Sequence, residues 1–501
     1  MAVEQGKTRR RIGTSQEAAA RFRQPARTHY DMIIIGAGSA GLSAAISAVS
    51  LGARVALVDR EKFGGECLYT GCVPSKALLQ VARLAAQVRS AEQLGLSAQL
   101  APVDLGAVAD HIQRVIDEIY VNTDAPENYA AFGIEPLLGE VRFVSPTAVT
   151  INGQQVTAKR YLICTGSHPR VASMPGLAEA SYLTNETVFA QRRLPRSLVV
   201  IGGGPVGCEL GQAFARFGSQ VTILQRPDRI LPKDEPEAAA VLAKRLLAEG
   251  VTILTRADAQ AVVMRDGLKT VEAATPNGPV QVAGEEILVA VGRSPTVEGF
   301  GLDAARVAYD WRTGIATDAY LRTSNRRVFA AGDVRGGYLF THAAALQART
   351  AVRNMLLPGI ARSKLDERAM PWATFTEPEI AHTGLTEAEA RRQYGAGVRA
   401  YVQPLRGVDR AVTEGETEGF IKLVCTEKGK LLGATLAGPA ASEYINELAL
   451  ALSQGLSLSR LAGTTHVYPT VALGIQQAAG RYSLAATSKS GLVRFLRRFA
   501  G

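Results

Sequence analysis

Residues 30–41 read YDMIIIGAGSAG, and this stretch decides the fold. An apolar run of strand length leads into a G-x-G-x-x-G turn and then into an alanine-rich helical pattern. A second strand follows at residues 54–59 and ends in an acid. Strand, glycine turn, helix, strand and terminal acid together form the context that a dinucleotide-binding fingerprint requires. The stretch therefore predicts a Rossmann-type unit.

The residues of this unit have separate expected roles. Gly36 permits the tight turn, Gly38 lets the backbone approach a pyrophosphate, and Gly41 lets the helix pack closely on the strand. Asp59 can accept a hydrogen bond from a ribose hydroxyl. These four residues are the candidate binding residues of a first dinucleotide.

The same pattern recurs 166 residues further along the chain. An apolar strand at residues 197–201 leads into Gly202-Gly-Gly204-Pro-Val-Gly207, and a helical segment then leads to a strand at residues 220–224. The chain is therefore expected to bind two dinucleotides.

The second unit ends in Gln225 and Arg226 where the first ends in an acid. No carboxylate is present to hold a ribose 2′-hydroxyl, and a guanidinium is present that could hold a 2′-phosphate. NADPH is therefore favoured, with NADH as the alternative. The other reading is that Arg226 and Arg229 are only solvated loop charges.

A pair of cysteines carries the expected chemistry. Residues 64–76 read GGECLYTGCVPSK, so four residues separate Cys67 from Cys72. In a regular helix their α-carbons would be about 8 Å apart, beyond the roughly 7 Å that a disulfide spans, but Gly71 and Pro74 let the chain leave helix geometry. A redox-active disulfide is expected. The alternatives are two separate buried cysteines or a zinc site, for which the nearby sequence lacks two further ligands, so no metal ligand is assigned.

Composition sets the broad class. The 501 residues are 47% apolar and 20% charged, which predicts a soluble globular chain of two to four domains and excludes disorder, collagen and a small disulfide scaffold. No apolar run approaches the roughly 18 residues that span a bilayer. Five cysteines in a chain of this length indicate a reducing compartment, so a cytoplasmic protein is expected.

The net charge of +10 lies at the two ends of the chain. Residues 1–30 are expected to form a disordered basic arm, since their arginines lack the apolar segment of an export signal. The basic tail comprises residues 481–501. One helical face of it could carry apolar residues beside arginines, namely Leu492, Phe495, Leu496 and Phe499. Weak membrane-surface contact is one hypothesis for this tail, and a frayed or partner-docked end is the other. Nucleic acid is not an expected partner, because no recognition fold accompanies the arginines.

Together the motifs resemble those of the class I pyridine nucleotide-disulfide oxidoreductase family, the flavoproteins that include dihydrolipoamide dehydrogenase, glutathione reductase and mercuric reductase. The resemblance covers about residues 30–480 and rests on both glycine turns, the cysteine motif and four further stretches. These stretches are the loop Cys164-Thr165-Gly166, the turn Val291-Gly292-Arg293, the segment from Thr323 to Asp333, and the segment from Phe375 that resembles the entry to the family's dimerisation domain.

The resemblance implies an α/β fold with two Rossmann-like three-layer nucleotide-binding domains, one for FAD and one for NAD(P), and a C-terminal α+β dimerisation domain. It also implies a homodimer whose active site is shared across the interface. The expected segments are the N-terminal arm (1–30), the FAD-binding domain (31–180 and 289–365), the NAD(P)-binding domain (181–288), the dimerisation domain (366–480) and the C-terminal tail (481–501).

Roles for individual residues also come from the resemblance. Cys72 would be the thiolate that faces the flavin, and Cys67 the one that attacks the acceptor. Lys76, one helical turn beyond Cys72, would lie near the flavin ring, and Glu209 is the acid expected to pair with it. The plainer reading is that Lys76 and Glu209 are surface charges. Further residues expected to hold FAD are Thr165, Gly166, Gly292 and Asp333.

One departure from the family bears on the substrate. Members that reduce disulfides carry His-Pro-Thr near the C-terminus, with a Glu five residues after the His. Here Tyr468 takes the His position and Leu473 the Glu position. A tyrosine, with an ordinary pKa of about 10, is a poor proton shuttle near neutrality. His466 could act instead if this stretch were a strand, where residues i and i+2 share a face, but no orienting acid is evident for it.

A reductase without this shuttle suits an acceptor that needs electrons only, such as a soft metal ion bound by thiolates. Mercuric reductases also carry Tyr at this position, but they usually end in a vicinal cysteine pair, whereas the last cysteine here is Cys425. The sequence therefore predicts an FAD-dependent oxidoreductase that passes electrons from NAD(P)H through Cys67 and Cys72 to such an acceptor. A dihydrolipoamide dehydrogenase-type enzyme is the first alternative, and a membrane-surface protein that retains the fold is the second.

Overall fold

The computed structural model describes residue 22, residues 24–171 and residues 173–489. Contacts group them into two compact units. The first unit contains the described residues of Met1–Tyr69, Asp117–His168 and Ser294–Leu365, and the second contains those of Thr70–Ile116, Pro169–Arg293 and Asp366–Gly501.

Strands are numbered in chain order. They are β1 His29–Ile35, β2 Val55–Asp59, β3 Glu135–Leu138, β4 Val141–Ser145, β5 Ala148–Ile151, β6 Gln154–Ile163, β7 Ser167–Pro169, β8 Ser197–Ile201, β9 Gln220–Gln225, β10 Thr252–Thr255, β11 Asp258–Arg265, β12 Leu268–Thr275, β13 Gly278–Gly284, β14 Glu286–Val289, β15 Arg293–Pro295, β16 Tyr309–Asp310, β17 Gly314–Ile315, β18 Val328–Ala330, β19 Pro371–Thr374, β20 Glu379–Gly384, β21 Val398–Pro404, β22 Phe420–Thr426 and β23 Leu431–Gly438.

Helices are numbered in the same way. They are α1 Ser39–Ser50, α2 Gly65–Tyr69, α3 Cys72–Ser90, α4 Leu105–Ile119, α5 Pro126–Ala130, α6 Pro205–Phe217, α7 Pro236–Ala248, α8 Thr341–Leu356, α9 Glu387–Tyr394, α10 Asp409–Thr413, α11 Ala441–Ser453, α12 Leu458–Ala462 and α13 Leu473–Lys489.

The first unit is built on a seven-stranded sheet. Its order is β3-β2-β1-β6-β5-β4, and β18 also pairs with β6. β1 is parallel to both β2 and β6, as a Rossmann unit requires. Successive side chains of β1 enter two different cores: Met32 and Ile34 pack with the alanines of α1 and α8, while Ile33 and Ile35 pack on the other face. The unbroken apolar run thus belongs to a strand that is buried on both faces.

The second unit contains a parallel sheet of order β10-β9-β8-β14, in which α6 connects β8 to β9. An antiparallel sheet of order β11-β12-β13 follows. The last part of the chain forms a five-stranded antiparallel sheet of order β19-β20-β23-β22-β21, whose apolar residues share one core with α11, α12 and α13. The predicted fold class, two Rossmann-like units and a C-terminal α+β region, is confirmed.

Close backbone contacts explain the glycines of both turns. Gly36 has a φ of +102°, and a Cβ added there would lie 2.3 Å from the carbonyl oxygen of Cys164. A Cβ on Gly41 would lie 1.8 Å from the carbonyl oxygen of Gly36, so no side chain fits where the helix passes the strand. The second unit repeats this arrangement. Gly202 has a φ of +112°, and a Cβ added to Gly207 would lie 1.9 Å from the carbonyl oxygen of Gly202.

The structure covers the two basic arms only in part. Most of the N-terminal arm, residues 1–21 and 23, lies outside the described residues, and β1 already begins at His29. At the other end, α13 continues to Lys489, and the apolar helical face proposed for residues 492–499 lies outside the described residues. In the part of the chain that the structure describes, no helix is both long and apolar enough to cross a bilayer. The segment boundaries drawn from the sequence stay predictions.

Candidate active site

The first glycine turn is organised by the acid at the end of β2. Asp59 accepts hydrogen bonds from the backbone N–H of Ala37 through Oδ2, at 2.8 Å, and from that of Glu61 through Oδ1, at 3.1 Å. Gly38 precedes α1 without a side-chain cap, and the first turn of α1 contains no acid. The amino end of α1 therefore offers its N–H groups and its positive dipole end to an anion. This arrangement fits the pyrophosphate of FAD.

Two of the other stretches expected to hold FAD meet in the first unit. Ser167, next to Gly166, donates a hydrogen bond of 2.6 Å from its hydroxyl to Oδ2 of Asp333. Thr165 donates its hydroxyl to the carbonyl oxygen of Thr296 at 2.7 Å. The segment after β6 is thus joined by side-chain hydrogen bonds to the segment after β18 and to the segment after β15. Sequence reasoning did not identify Ser167 or Thr296, since neither belongs to a recognisable spacing.

Cys67 lies in the short helix α2 of the first unit and is partly buried. The Thr341 hydroxyl, at the start of α8, donates to the Cys67 sulfur at 3.2 Å. A hydroxyl donor stabilises a thiolate over a thiol. Thr341 lies 274 residues further along the chain, so no local pattern identified it.

Cys72 is exposed and is the first residue of the 19-residue helix α3. The helical chain breaks at residues 70–71, as Gly71 indicated. The positive end of the helix dipole favours a negatively charged sulfur at this position.

The other three cysteines are buried. Burial raises the pKa of the thiols of Cys164 and Cys208, and it raises that of Cys425 to about 11. A buried thiol that stays protonated is a poor nucleophile. Thiolate chemistry is therefore expected at Cys67 and Cys72.

Lys76 and Glu209 meet in the second unit. The Lys76 ammonium lies 2.9 Å from Oε2 of Glu209, and the Glu209 side chain is only 7% exposed. The other carboxylate oxygen, Oε1, accepts a hydrogen bond of 2.9 Å from the backbone N–H of Phe375, and the ammonium lies 4.2 Å from the centre of the Phe375 ring. The two residues are thus partners rather than separate surface charges, and Phe375 is a neighbour that the sequence did not reveal.

One face of α6 keeps Glu209 in place. Gln212, three residues on, both donates to the carbonyl oxygen of Glu377 and accepts from its N–H, each at 2.8 Å. The buried Arg216 donates to the carboxylates of Glu249 and Glu377. Positions i, i+3 and i+7 share a helix face, so three polar side chains of one helix hold the segment after β19.

Gln225 occupies the place in the second turn that Asp59 occupies in the first. Its side-chain oxygen accepts the backbone N–H of Gly203 at 2.7 Å, and its amide donates to the carbonyl oxygen of Arg229 at 3.1 Å. Gln225 is buried and neutral, whereas Arg226 is exposed. Gly204 precedes α6 without a side-chain cap, so this helix end also suits a pyrophosphate.

The stretch around Tyr468 differs from expectation in two ways. It is not a strand, so the argument that His466 and Tyr468 share a strand face was wrong. His466 also has an acid after all: its Nε2 lies 3.1 Å from both oxygens of Glu447, on α11. Its Nδ1 lies 3.1 Å from the carbonyl oxygen of Thr464, and its side chain is only 7% exposed. Glu447 could not be identified from the sequence because it lies 19 residues before His466, on a separate helix.

Tyr468 itself is 67% exposed, and its hydroxyl donates to Oδ2 of Asp409 at 3.0 Å. The hydrogen bond to Asp409, together with the negative charge of that carboxylate, raises the pKa of Tyr468 above its ordinary value. The phenol therefore holds its proton more firmly than an isolated tyrosine.

Comparison with known proteins agrees with this geometry. Residues 30–348 match the model of the pyridine nucleotide-disulphide oxidoreductase family, and residues 370–479 match the dimerisation domain of the same family. The chain is 37% identical over 454 residues to a mercuric reductase of Bacillus cereus, across 90% of this chain and 71% of that protein. It is 36% identical over 455 residues to a dihydrolipoyl dehydrogenase of Thermus scotoductus, across 90% and 96%.

A solved structure also resembles this fold. It is the Cu(II) complex of the HOCl-induced flavoprotein disulfide reductase RclA from Escherichia coli, with a TM-score of 0.79 and 25% identity. The match covers 91% of this chain and 100% of that one.

Fold and site together define an NAD(P)H-dependent flavoprotein oxidoreductase. More closely, the chain belongs to the class I pyridine nucleotide-disulfide oxidoreductase family, whose members use FAD, a pyridine nucleotide and a redox-active disulfide. The matching dimerisation domain supports a homodimer.

Replacement of either reactive cysteine distinguishes their roles. We expect Cys72→Ser to leave FAD bound but to abolish the long-wavelength thiolate–flavin absorbance of the reduced protein, because the flavin-facing thiolate is gone. Cys67→Ser is the matched control and should keep this band. Absorbance spectra after anaerobic reduction measure both, and a band that survives in Cys72→Ser would contradict the assignment.

The Lys76–Glu209 pair should act as one unit. Lys76→Met and Glu209→Gln are each expected to slow flavin reduction by NADPH at least about tenfold, because each removes a charge-assisted hydrogen bond. The double variant should be no slower than the slower single one, since both remove the same interaction. Stopped-flow absorbance measures these rates, with the exposed Glu186→Gln as control; effects that simply multiply would show that the two residues act separately.

Proposed function

We propose that this enzyme uses NADPH to reduce a soft metal ion bound by thiolates, as a mercuric reductase does. The observation that carries the proposal is the state of Tyr468, at the family's proton-shuttle position, and of His466, two residues before it. Tyr468 donates its hydroxyl to Asp409, and both nitrogens of His466 face acceptors. No side chain of this stretch is poised to deliver a proton to a leaving thiolate.

The proton balance explains why this matters. One NADPH, one proton and one disulfide yield NADP⁺ and two thiols, so a disulfide reductase must protonate its leaving group. One NADPH and one divalent metal ion held by the enzyme's two thiolates yield NADP⁺, one proton and the neutral metal, and the thiolates stay on the enzyme, so no leaving thiolate has to be protonated. Bound FAD supplies the electron relay between the nicotinamide and the cysteine pair. An acceptor without a leaving thiol therefore fits a site without a shuttle.

His466 is the basis of the alternative, a dihydrolipoamide dehydrogenase-type enzyme. Glu447 orients its ring as a catalytic acid would, which favours that alternative more than the sequence did. However, a catalytic histidine needs one nitrogen for its acid and the other for substrate. Here Thr464 takes the second nitrogen, and the side chain is nearly buried. These contacts support a structural role for His466.

The sequence identities to mercuric reductases and to dihydrolipoyl dehydrogenases are nearly equal. The choice between these two functions therefore rests on the geometry of the site. Relatives at 36–37% identity include a mercuric reductase and a dihydrolipoyl dehydrogenase. The resemblance to a reductase solved as a Cu(II) complex is consistent with a thiophilic metal acceptor. We also propose that Tyr468 completes the active site of a partner subunit in a homodimer, and that the enzyme is cytoplasmic.

The preference for NADPH rests on Gln225 and Arg226. The neutral Gln225 side chain is occupied by Gly203 and Arg229, so the position that would repel a 2′-phosphate carries no charge. Arg226 is the next residue and is exposed. A guanidinium can bind a phosphate through two hydrogen bonds at once.

An acceptor panel tests the proposed reaction. With NADPH, the purified protein should turn over mercuric ion in the presence of excess thiol, and should turn over lipoamide and oxidised glutathione poorly. His466→Gln should leave metal turnover unchanged. Installing the family dyad with Tyr468→His and Leu473→Glu should raise disulfide turnover about tenfold or more, as general acid–base groups do. Brisk lipoamide turnover that His466→Gln abolishes would instead establish the dihydrolipoamide dehydrogenase-type alternative.

Arg226→Ser tests the nucleotide preference. We expect the KM for NADPH to rise about tenfold or more, with kcat and the KM for NADH little changed, because only NADPH carries the 2′-phosphate. Steady-state kinetics with both nucleotides measure this, and the exposed Arg265→Ser of the same unit is the control. Equal effects on NADPH and NADH would show that Arg226 does not select the nucleotide.

A further inference from the structure

The first unit contains a cavity toward the opposite end of β1 from the FAD-binding turn. The cavity has a volume of about 580 Å³, and Asp31 at the start of β1 lines it. Asp31 precedes Gly36 by five residues along β1, a distance of about 17 Å at the usual rise of a strand. The cavity is therefore separate from the nucleotide site.

Cations crowd one wall of this cavity. Lys159 and Arg160 come from β6, and Arg327 directly precedes β18. β6 and β18 are parallel neighbours in which Tyr161 lies beside Val328, so Arg160 and Arg327 are adjacent. Like charges on neighbouring strands destabilise a sheet, so this arrangement costs the unliganded protein stability.

Arg160 experiences this crowding most directly. Its pKa is lowered by partial burial and by the nearby charges of Arg327 and Arg362. Its guanidinium donates a hydrogen bond of 3.0 Å to the carbonyl oxygen of Lys159. In the described part of the chain, no carboxylate lies within ion-pair distance of Arg160, Arg327 or Arg362.

The cavity's own carboxylate does not neutralise the guanidinium pair. Asp31 lies 3.0 Å from the guanidinium of Arg54 and 2.8 Å from the ammonium of Lys159. The hydrogen bonds from Arg54 and Lys159 hold the pKa of Asp31 well below its ordinary value, so it stays charged and occupied. The positive charges of Arg160 and Arg327 therefore face the cavity uncompensated.

Another part of the cavity lining is apolar. Leu51, just after α1, is 48% exposed, and Met355 and Leu356 come from the end of α8. Leu51 is exposed, Leu356 is half-buried and Met355 is buried. An apolar lining beside a cation pair suits a ligand with an anionic end and an apolar body.

We propose that this cavity binds a soluble organic phosphate, a phosphomonoester with a small apolar or aromatic body. Arg160 and Arg327 hold the phosphate, since guanidinium groups pair with phosphate oxygens through two hydrogen bonds each. Leu51 and Leu356 contact the apolar body. The site is additional to the FAD and NAD(P) sites and does not depend on the identity of the electron acceptor.

The test uses the FAD-loaded full-length protein with excess NADP⁺, which occupies the pyridine-nucleotide site. Isothermal titration with phenyl phosphate should show binding, while phenol and inorganic phosphate, each half of that probe, should bind more weakly. Arg160→Gln and Arg327→Gln should each weaken phenyl phosphate binding about tenfold, because each removes a charge-assisted contact. Arg326→Gln is the matched control: this exposed neighbour of Arg327 does not line the cavity and should bind as the parent does.

Thermal unfolding provides a second readout that a folding defect would not imitate. At low salt and without ligand, Arg160→Gln should unfold at the same or a higher temperature than the parent, because a crowded cation is removed. Phenyl phosphate should raise the unfolding temperature of the parent and of Arg326→Gln equally, and that of Arg160→Gln by clearly less. Equal binding by all variants, or no binding by the parent, would overturn the proposal. Binding to vesicles that contain phosphatidic acid, without binding to phenyl phosphate, would overturn the assignment to a soluble ligand.

Discussion

Close packing of helix on strand at two glycine turns is the constraint on which the rest of the structure depends. At Gly41 an added Cβ would lie 1.8 Å from the oxygen of Gly36, and at Gly207 1.9 Å from that of Gly202. Only glycine lets α1 and α6 lie close to their strands and direct their N-termini at a nucleotide. Both nucleotide sites follow from this contact, and so does the position of α6, whose polar face presents Glu209 to Lys76.

Several charged side chains of the second unit are linked to one another through shared hydrogen-bond partners. Lys76 binds Glu209, and Glu209 binds the backbone of Phe375. Further along α6, Gln212 and Arg216 hold Glu377, so a change at the segment after β19 would reach the carboxylate beside Lys76. An ion pair with one buried partner, such as Glu209 with Lys76, contributes position more reliably than stability, since the cost of removing the carboxylate from water offsets much of the attraction.

Tyr468 and His466 show how a substitution in the family's proton-shuttle motif changes the chemistry available at that position. With Tyr468 in the histidine position, the hydroxyl donates to Asp409 and its pKa rises. His466 keeps an acid, Glu447, but its remaining nitrogen faces the carbonyl oxygen of Thr464. These two contacts decide the expected role: an imidazole that has an acid on one side and a carbonyl on the other has no nitrogen left for substrate.

The sequence by itself determined the fold class, both glycine turns and the C-x4-C motif, because their chemistry depends on residues that are close together in the chain. Local backbone geometry requires glycine at the turns, and this requirement can be read without a structure. Only the tertiary structure brought Glu447 to His466, Thr341 to Cys67, and Arg327 beside Arg160. These partners come from separate strands and helices, and no local pattern encodes which of many acids, hydroxyls or cations will meet. The packing of helices and strands against one another determines which of these residues come into contact.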